Sequence, residues 1–290
     1  MKTALRDILK ATIKERIPFS YVESMAVREL ESKFRYWCEE EISRFHPHQN
    51  YFEISYRVSL YCYPRIDMPH DLLFSFMKWL AVIFFIDDKV VEDRKNYFTQ
   101  GYSSFIHNTI AEDELVAFYI DQARSFMHNA YATDAPHVVR VMQHWMSISV
   151  IEDVITSTDF ENKHLMNYIR MGTIGMYMLF EVNKTLLLKE GKSARTADLE
   201  VYRLGAYAVA LINDLYSYKK ELNEDGTEIK GNAYIRQFPN TDFDIIFNKA
   251  LEEIIIVFDK YKTLITPYNQ YITESVLGQL IAHDYLDRYS

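Results

Sequence analysis

With 290 residues but only 8 Gly and 7 Pro, the chain is long enough to bury one large core and poor enough in breakers to favour long elements on short loops. Its formal net charge of -9 argues against a nucleic-acid surface or a docking face for anionic membranes, which both need a patch of Lys and Arg; a bound anion would need help from metal ions or a few placed bases. Cys38 and Cys62 are the only cysteines and show no CxxC spacing, which argues against a disulfide frame or a thiolate zinc site and fits a reducing cytoplasm.

The N-terminus, MKTALRDILKATIKERIPF, carries acids and lacks an apolar targeting core, and the longest apolar run, WLAVIFFI from Trp79, is too short to span a bilayer. A soluble, cytoplasmic protein without stable membrane insertion is expected. FHPHQN sets His46 and His48 two apart, but with no third ligand type nearby a Pro-containing loop is the simpler account. In SFMKWLAVIFFIDDKVV, VVRVMQHWMSISVIEDVI, VYRLGAYAVALINDLYSYKKEL and FDIIFNKALEEIIIVFDKYKTLI, apolar residues recur at three and four over lengths no strand reaches. The fold class is therefore all-α, a helical bundle in one domain over residues 1–290. Breaks fall at YPRIDMPH, ATDAPH, KEGKSART, NEDGTEIKGN, FPNTD and TPYN, which have the length and composition of loops.

The first stretch with chemistry in it is FFIDDKVVED, Phe84 to Asp93, where four carboxylates in seven residues end an apolar run. On a helix Asp88 and Glu92 share a face, Asp87 lies about 100° round from Asp88, and Phe84 sits one turn earlier on the side of the two aspartates. Such acids repel each other and are costly to bury unpaired, so they are either solvated at a helix end or hold a cation. Without His or Cys they select hard ions, Mg²⁺ in particular, which bridges carboxylates to phosphate oxygens.

The second stretch is NDLYSYKKE. Asn213, Ser217 and Glu221 stand at i, i+4 and i+8, which lines an amide oxygen, a hydroxyl and a carboxylate along one stripe of one helix, three oxygen ligands for a hard cation. Lys220, next to the last of them, is placed to meet a metal-bound phosphate as a point charge. The preceding LGAYAVAL is apolar and small, with Ala206, Val209 and Ala210 on or near the ligand face. Both acidic stretches thus leave the end of an apolar helix, and the expected picture is a cavity with a metal rim and a hydrocarbon floor.

DDKVVE resembles the aspartate-rich motif, and NDLYSYKKE the asparagine-serine-glutamate motif with its basic residue before the acid, of class I terpene synthases (terpene cyclases) of the microbial type. Their order, their spacing of more than a hundred residues and the chain length agree. In the closing DYLDRYS, Arg288 and Tyr289 resemble the pair that closes over the diphosphate in this family, and Asn232 in GNAYIRQF matches its asparagine-led helix start after the metal motif. The resemblance covers roughly residues 50 to 290.

What it implies is a bundle of the class I terpenoid synthase type around a central apolar cavity, with Mg²⁺, three ions, held by Asp87, Asp88, Glu92, Asn213, Ser217 and Glu221. The substrate would be a linear prenyl diphosphate, farnesyl first, with geranyl and geranylgeranyl diphosphate as alternatives. Ionisation and cyclisation would give a terpene hydrocarbon or alcohol and free diphosphate, contacted by Arg170, Lys220, Arg288 and Tyr289. The family has a diphosphate-sensing arginine some forty-odd residues before the metal asparagine, and Arg170 in YIRMGTIGMY is the only arginine near that distance; a plain surface or capping arginine is the other reading. Gly172 and Gly175 after it suggest a helix break, where the family places its effector segment.

Aromatic faces stabilise a desolvated cation, and of the 22 Tyr, 18 Phe and 3 Trp the best candidate is Phe84, one turn from the acids. Trp79, Trp145, Tyr177 and Phe180 read as ordinary core, and Glu152 as a residue that caps or pairs within the bundle. Two other functions stay open. A chain-elongating isoprenyl diphosphate synthase would share fold and chemistry but carries a second aspartate-rich motif where this chain has NDLYSYKKE. A non-catalytic helical scaffold leaves the ligand stripe without a reason. The assembly, including a homodimer, is left open.

Overall fold

The computed structural model describes residues 3–16, 23–45, 51–62, 69–89, 94–132, 136–156, 162–189, 199–218, 234–238 and 241–285; at some helix ends, Asp87 and Asp88 among them, it describes the backbone alone. Most of these residues are helical and none is in a strand. Short N-terminal elements come first: α1 (Thr3–Arg16), α2 (Met25–Glu29), α3 (Glu31–Trp37) and a π-helical turn, Cys38–Ile42. The bundle follows as α4 (Tyr51–Cys62), α5 (His70–Lys89), α6 (Arg94–His107), α7 (Glu114–Ala132), α8 (Pro136–Thr156), α9 (Lys163–Thr173), α10 (Met176–Lys189) and α11 (Leu199–Ser217). A 3₁₀ turn, Ile235–Gln237, precedes α12 (Phe243–Leu264) and α13 (Gln270–Tyr285).

The starts and stops have local chemical causes. Asp113 accepts from the amides of Leu115 and Val116, both at 2.9 Å, and opens α7; Asn162 accepts from Leu165 at 3.1 Å and opens α9; Asp242 accepts from Asp244 at 2.8 Å and opens α12. Pro136 occupies the first position of α8, where its missing N–H has no helical partner to lose. The TPYN break is a side-chain staple: Asn269 accepts from the Thr266 amide at 2.7 Å and donates to the Leu264 carbonyl at 3.0 Å.

Neighbouring helices close into a circuit, α4 on α5, α5 on α6, α6 on α8, α8 on α10, α10 on α11, α11 on α13 and α13 back on α4, with α7 packed outside α5 and α12 outside α11. Trp79 of α5 stacks on Phe126 of α7 and meets Trp145 of α8 edge-on at 5.6 Å, so both tryptophans are core. Phe180 of α10 is also fully buried and packs on Tyr202 of α11, while Tyr177 is partly buried. Both cysteines are buried free thiols, and burial pushes each thiol up, out of the range where thiolates form. No described helix is long and apolar enough to cross a membrane.

Polar atoms fix the junction of α4, α10 and α13. Buried Asn183 donates to the Cys62 carbonyl at 2.9 Å and to Ser275 Oγ at 2.6 Å, and the Cys62 thiol lies 3.4 Å from Gln279 Oε1. Beside them α13 touches α4 backbone to backbone: a Cβ on Gly278 would overlap the Tyr61 carbonyl, which cannot yield as a side chain would. Gly278→Ala is therefore expected to destabilise the fold by about 1–3 kcal/mol, read as a melting temperature lower by about 2–4 °C per kcal/mol in far-UV circular dichroism. An unchanged melting temperature would show that the two helices separate freely.

Candidate active site

Helix α11 is built to be buried. From Val201 to Ser217 nearly every residue is inside, with small Gly205, Ala206, Ala208 and Ala210 letting neighbours approach. Two of its last turns carry oxygen atoms. Asn213 is partly exposed, and Ser217 follows one turn later on the same face, itself 3 % exposed. The Ser217 Oγ has no hydrogen-bond partner among the described residues. A buried hydroxyl left unpaired costs about 1–3 kcal/mol, and amide and hydroxyl oxygens one turn apart are the donor set a hard cation takes. The described helix stops at Ser217, with Tyr218 in a turn, so Lys220, Glu221 and Asn232 lie outside the described residues.

Arg170, in the last turn of α9, is not a surface residue. Its side chain is 14 % exposed and reaches α11, where Nη2 donates to Asn213 Oδ1 at 2.6 Å. Nε and Nη2 meet Asp214 Oδ1 at 2.9 and 2.8 Å, and Nη1 lies 3.7 Å from Glu152 Oε1 on α8. The structure thus joins two residues 43 apart in sequence, one singled out as a diphosphate contact and the other as a metal ligand. Asp214 and Glu152 complete the group. Glu152 pairs within the bundle, as expected, and Asp214 was missed. Its signal was a carboxylate inside an otherwise apolar helical pattern, which burial tolerates only with a partner.

Immediately after Arg170 the helix breaks. Ile174 and Gly175 separate α9 from α10, and Gly175 has φ +77°, a left-handed conformation that favours glycine. The Thr173 carbonyl at the helix end accepts the Trp145 indole N–H at 2.9 Å, and the Thr173 hydroxyl donates to Glu152 at 2.8 Å. The break anticipated from Gly172 and Gly175 is therefore held open by α8 through a tryptophan and a glutamate.

On the far side of Asp214, its Oδ2 accepts the Tyr234 amide at 3.0 Å. The Tyr234 hydroxyl donates to Glu253 of α12 at 3.2 Å, and Tyr207 of α11 donates to the other oxygen of Glu253 at 2.6 Å. Burial first, and then the Glu253 carboxylate, push both phenols well up, so they stay protonated donors. None of these three residues was anticipated from sequence.

Of the other anticipated residues, Phe84 is partly buried on α5 and packs against the core. Asp87 and Asp88 belong to the last turn of α5, described for backbone only, and Glu92, Arg288, Tyr289, His46 and His48 lie outside the described residues. Among the described residues no three His, Cys, Asp or Glu side chains gather as a metal cage.

Removing Arg170 would leave Asp214 and Glu152 buried beside a lost cation. Arg170→Ala is expected to cost about 3–5 kcal/mol of stability, against about 0.5 kcal/mol at most for a surface arginine. Thermal or urea unfolding of the ligand-free protein measures the difference, and a wild-type melting temperature would mean that the pair holds nothing.

No protein-family model matches the chain, and no curated protein matches it by sequence. Solved structures do match it. The 2-methylisoborneol synthase from Streptomyces coelicolor A3(2), in complex with Mg²⁺ and geranyl-S-thiolodiphosphate, superposes with TM-score 0.70 at 17 % identity, covering 94 % of this chain and 96 % of that one. Hedycaryol synthase in complex with HEPES gives 0.65 at 18 %, covering 92 % and 96 %, and the SVS_A2 protein from ancestral sequence reconstruction 0.66 at 15 %, covering 92 % and 88 %. The chain has the all-α fold of the microbial class I terpene synthases.

Proposed function

We propose that the protein is a class I terpene cyclase, a lyase that ionises a linear prenyl diphosphate with Mg²⁺ and cyclises the resulting cation with release of diphosphate. The observation that carries this reading is the meeting of Arg170 with Asn213 one turn before the buried Ser217 hydroxyl, within the fold of those synthases. The 2-methylisoborneol synthase of that fold binds Mg²⁺ together with geranyl-S-thiolodiphosphate or 2-fluorogeranyl diphosphate.

In this reading Asp87 and Asp88 hold metal from the end of α5 and Glu92 from the sequence after it, and Asn213, Ser217 and Glu221 from α11 and the segment after it. Bound Mg²⁺, three ions, would neutralise the diphosphate so that an otherwise poor leaving group can depart. Arg170, Lys220, Arg288 and Tyr289 donate hydrogen bonds to the diphosphate oxygens, and these gain strength as charge develops there. The hydrocarbon chain lies against apolar residues such as Ala206, Val209 and Ala210, away from water that would quench the cation early. Phe84, one turn before the acids, offers its π-face to that cation, worth about 0.5–2 kcal/mol. Farnesyl diphosphate is the first substrate to test, with the ten- and twenty-carbon homologues beside it.

Turnover of farnesyl diphosphate, followed by hydrocarbon and alcohol products and by diphosphate release, should require Mg²⁺ and stop in EDTA; undiminished turnover in EDTA refutes the metal assignment. Asn213→Ala and Asp87→Asn should each lower the rate at least about a hundredfold with the helical spectrum retained, and a fully active variant removes that residue from the ligand set.

Deleting the last three residues, Arg288 to Ser290, tests the terminal pair. Contacts made only to bound ligand leave the ligand-free melting temperature unchanged but lower the rate about tenfold and weaken the thermal protection given by Mg²⁺ with diphosphate. A truncated protein with full rate and full protection makes the terminus a bystander.

A further inference from the structure

Asp214 has no place in the ligand stripe. One residue on from Asn213, its side chain is turned about 100° round the helix, away from the face that Asn213 and Ser217 share and toward α9. It is 1 % exposed, on a helix whose other buried residues are nearly all apolar. A carboxylate in that position is costly unless both its oxygens are satisfied by strong donors. Here they are, and by two different parts of the chain: Oδ1 by Nε and Nη2 of Arg170, Oδ2 by the main-chain N–H of Tyr234.

We propose that Asp214 is a positioning residue for diphosphate recognition, fixing the plane of the Arg170 guanidinium and the point at which the chain returns to α11 at Tyr234. The inference rests on the cyclase reading above. A guanidinium recognises phosphate as a planar fork, so its orientation decides how many donors reach the anion. Held by its Nε edge, Arg170 keeps that plane with or without ligand. The Tyr234 bond holds the second oxygen of the same carboxylate. Lys220 and Glu221 belong to residues 219–233, and Tyr234, the first described residue after them, is tied by its amide to α11 through Asp214. Tyr234 is fastened a second time through its hydroxyl to Glu253, which also receives Tyr207. One carboxylate therefore ties both the Arg170 guanidinium and the Tyr234 amide to α11. Its two oxygens both accept, and an amide in its place would turn an NH₂ toward one of the two donors.

The test is a double-mutant cycle read by binding. Wild type, Arg170→Gln, Asp214→Asn and the double variant are titrated with inorganic diphosphate in Mg²⁺ by calorimetry, with melting temperatures recorded to confirm folding. Each single variant should weaken diphosphate binding about tenfold. If Asp214 acts through Arg170, the double variant binds within about twofold of Arg170→Gln. Losses that multiply to about a hundredfold overturn the positioning role. Asp214→Glu keeps the charge and lengthens the arm, so it guards against a variant that fails to fold; it should bind several-fold more weakly, and wild-type affinity there overturns the proposal too. Wild-type protein that binds no diphosphate in Mg²⁺ overturns the cyclase reading and this inference together, whereas binding with multiplying losses overturns this inference alone.

Discussion

The ion pair between Arg170 and Asp214 is the interaction on which the described part of the site depends. It joins α9 to α11 across 44 residues, in surroundings where either charge alone would be strongly unfavourable. Two guanidinium N–H groups on one carboxylate oxygen meet the requirement that a buried pair be well hydrogen-bonded. The same guanidinium reaches Asn213 and approaches Glu152, so three helices, α8, α9 and α11, share one cation. Glu152 in turn takes the Thr173 hydroxyl, and Trp145 on the same helix takes the Thr173 carbonyl, so the end of α9 is held at its side chain and at its backbone.

The helix break after Arg170 follows from that arrangement. A continuous helix through Thr173 to Met176 would engage the Thr173 carbonyl that Trp145 now meets. Gly175 adopts the left-handed conformation that lets the chain restart as α10, and α10 then carries Asn183 to the junction with α4 and α13. The backbones of α13 and α4 touch at Gly278 against Tyr61, and the polar groups at the α9–α11 end are held by the Arg170–Asp214 pair.

The likeness to solved structures is high in shape and low in sequence, with identities of 15 to 18 % over nearly the whole chain. Both facts have one cause. Apolar residues of about the right volume in a helical pattern reproduce a bundle without preserving individual residues. Shape therefore says where helices run, and chemistry must be argued from side chains that a bundle would not otherwise need: an arginine sunk beside two carboxylates, an asparagine facing it and a buried serine hydroxyl.

By itself the sequence determined what depends on near neighbours along the chain. Helical periodicity, the TPYN break, the break at Gly172 to Gly175 and the i, i+4 spacing of Asn213 and Ser217 all arise within a few turns, so they were readable without the fold. It left Arg170 undecided between sensor and surface residue, because its exposure depends on α8 and α11 packing over it. Asp214 went unnoticed beside Asn213, and the phenols of Tyr207 and Tyr234 could not be matched to Glu253, since those partners lie 19 to 46 residues apart. Only the tertiary structure decided these pairings: a buried charge takes whichever donor the packing of other helices brings within about 3 Å, and that distance has no local signature.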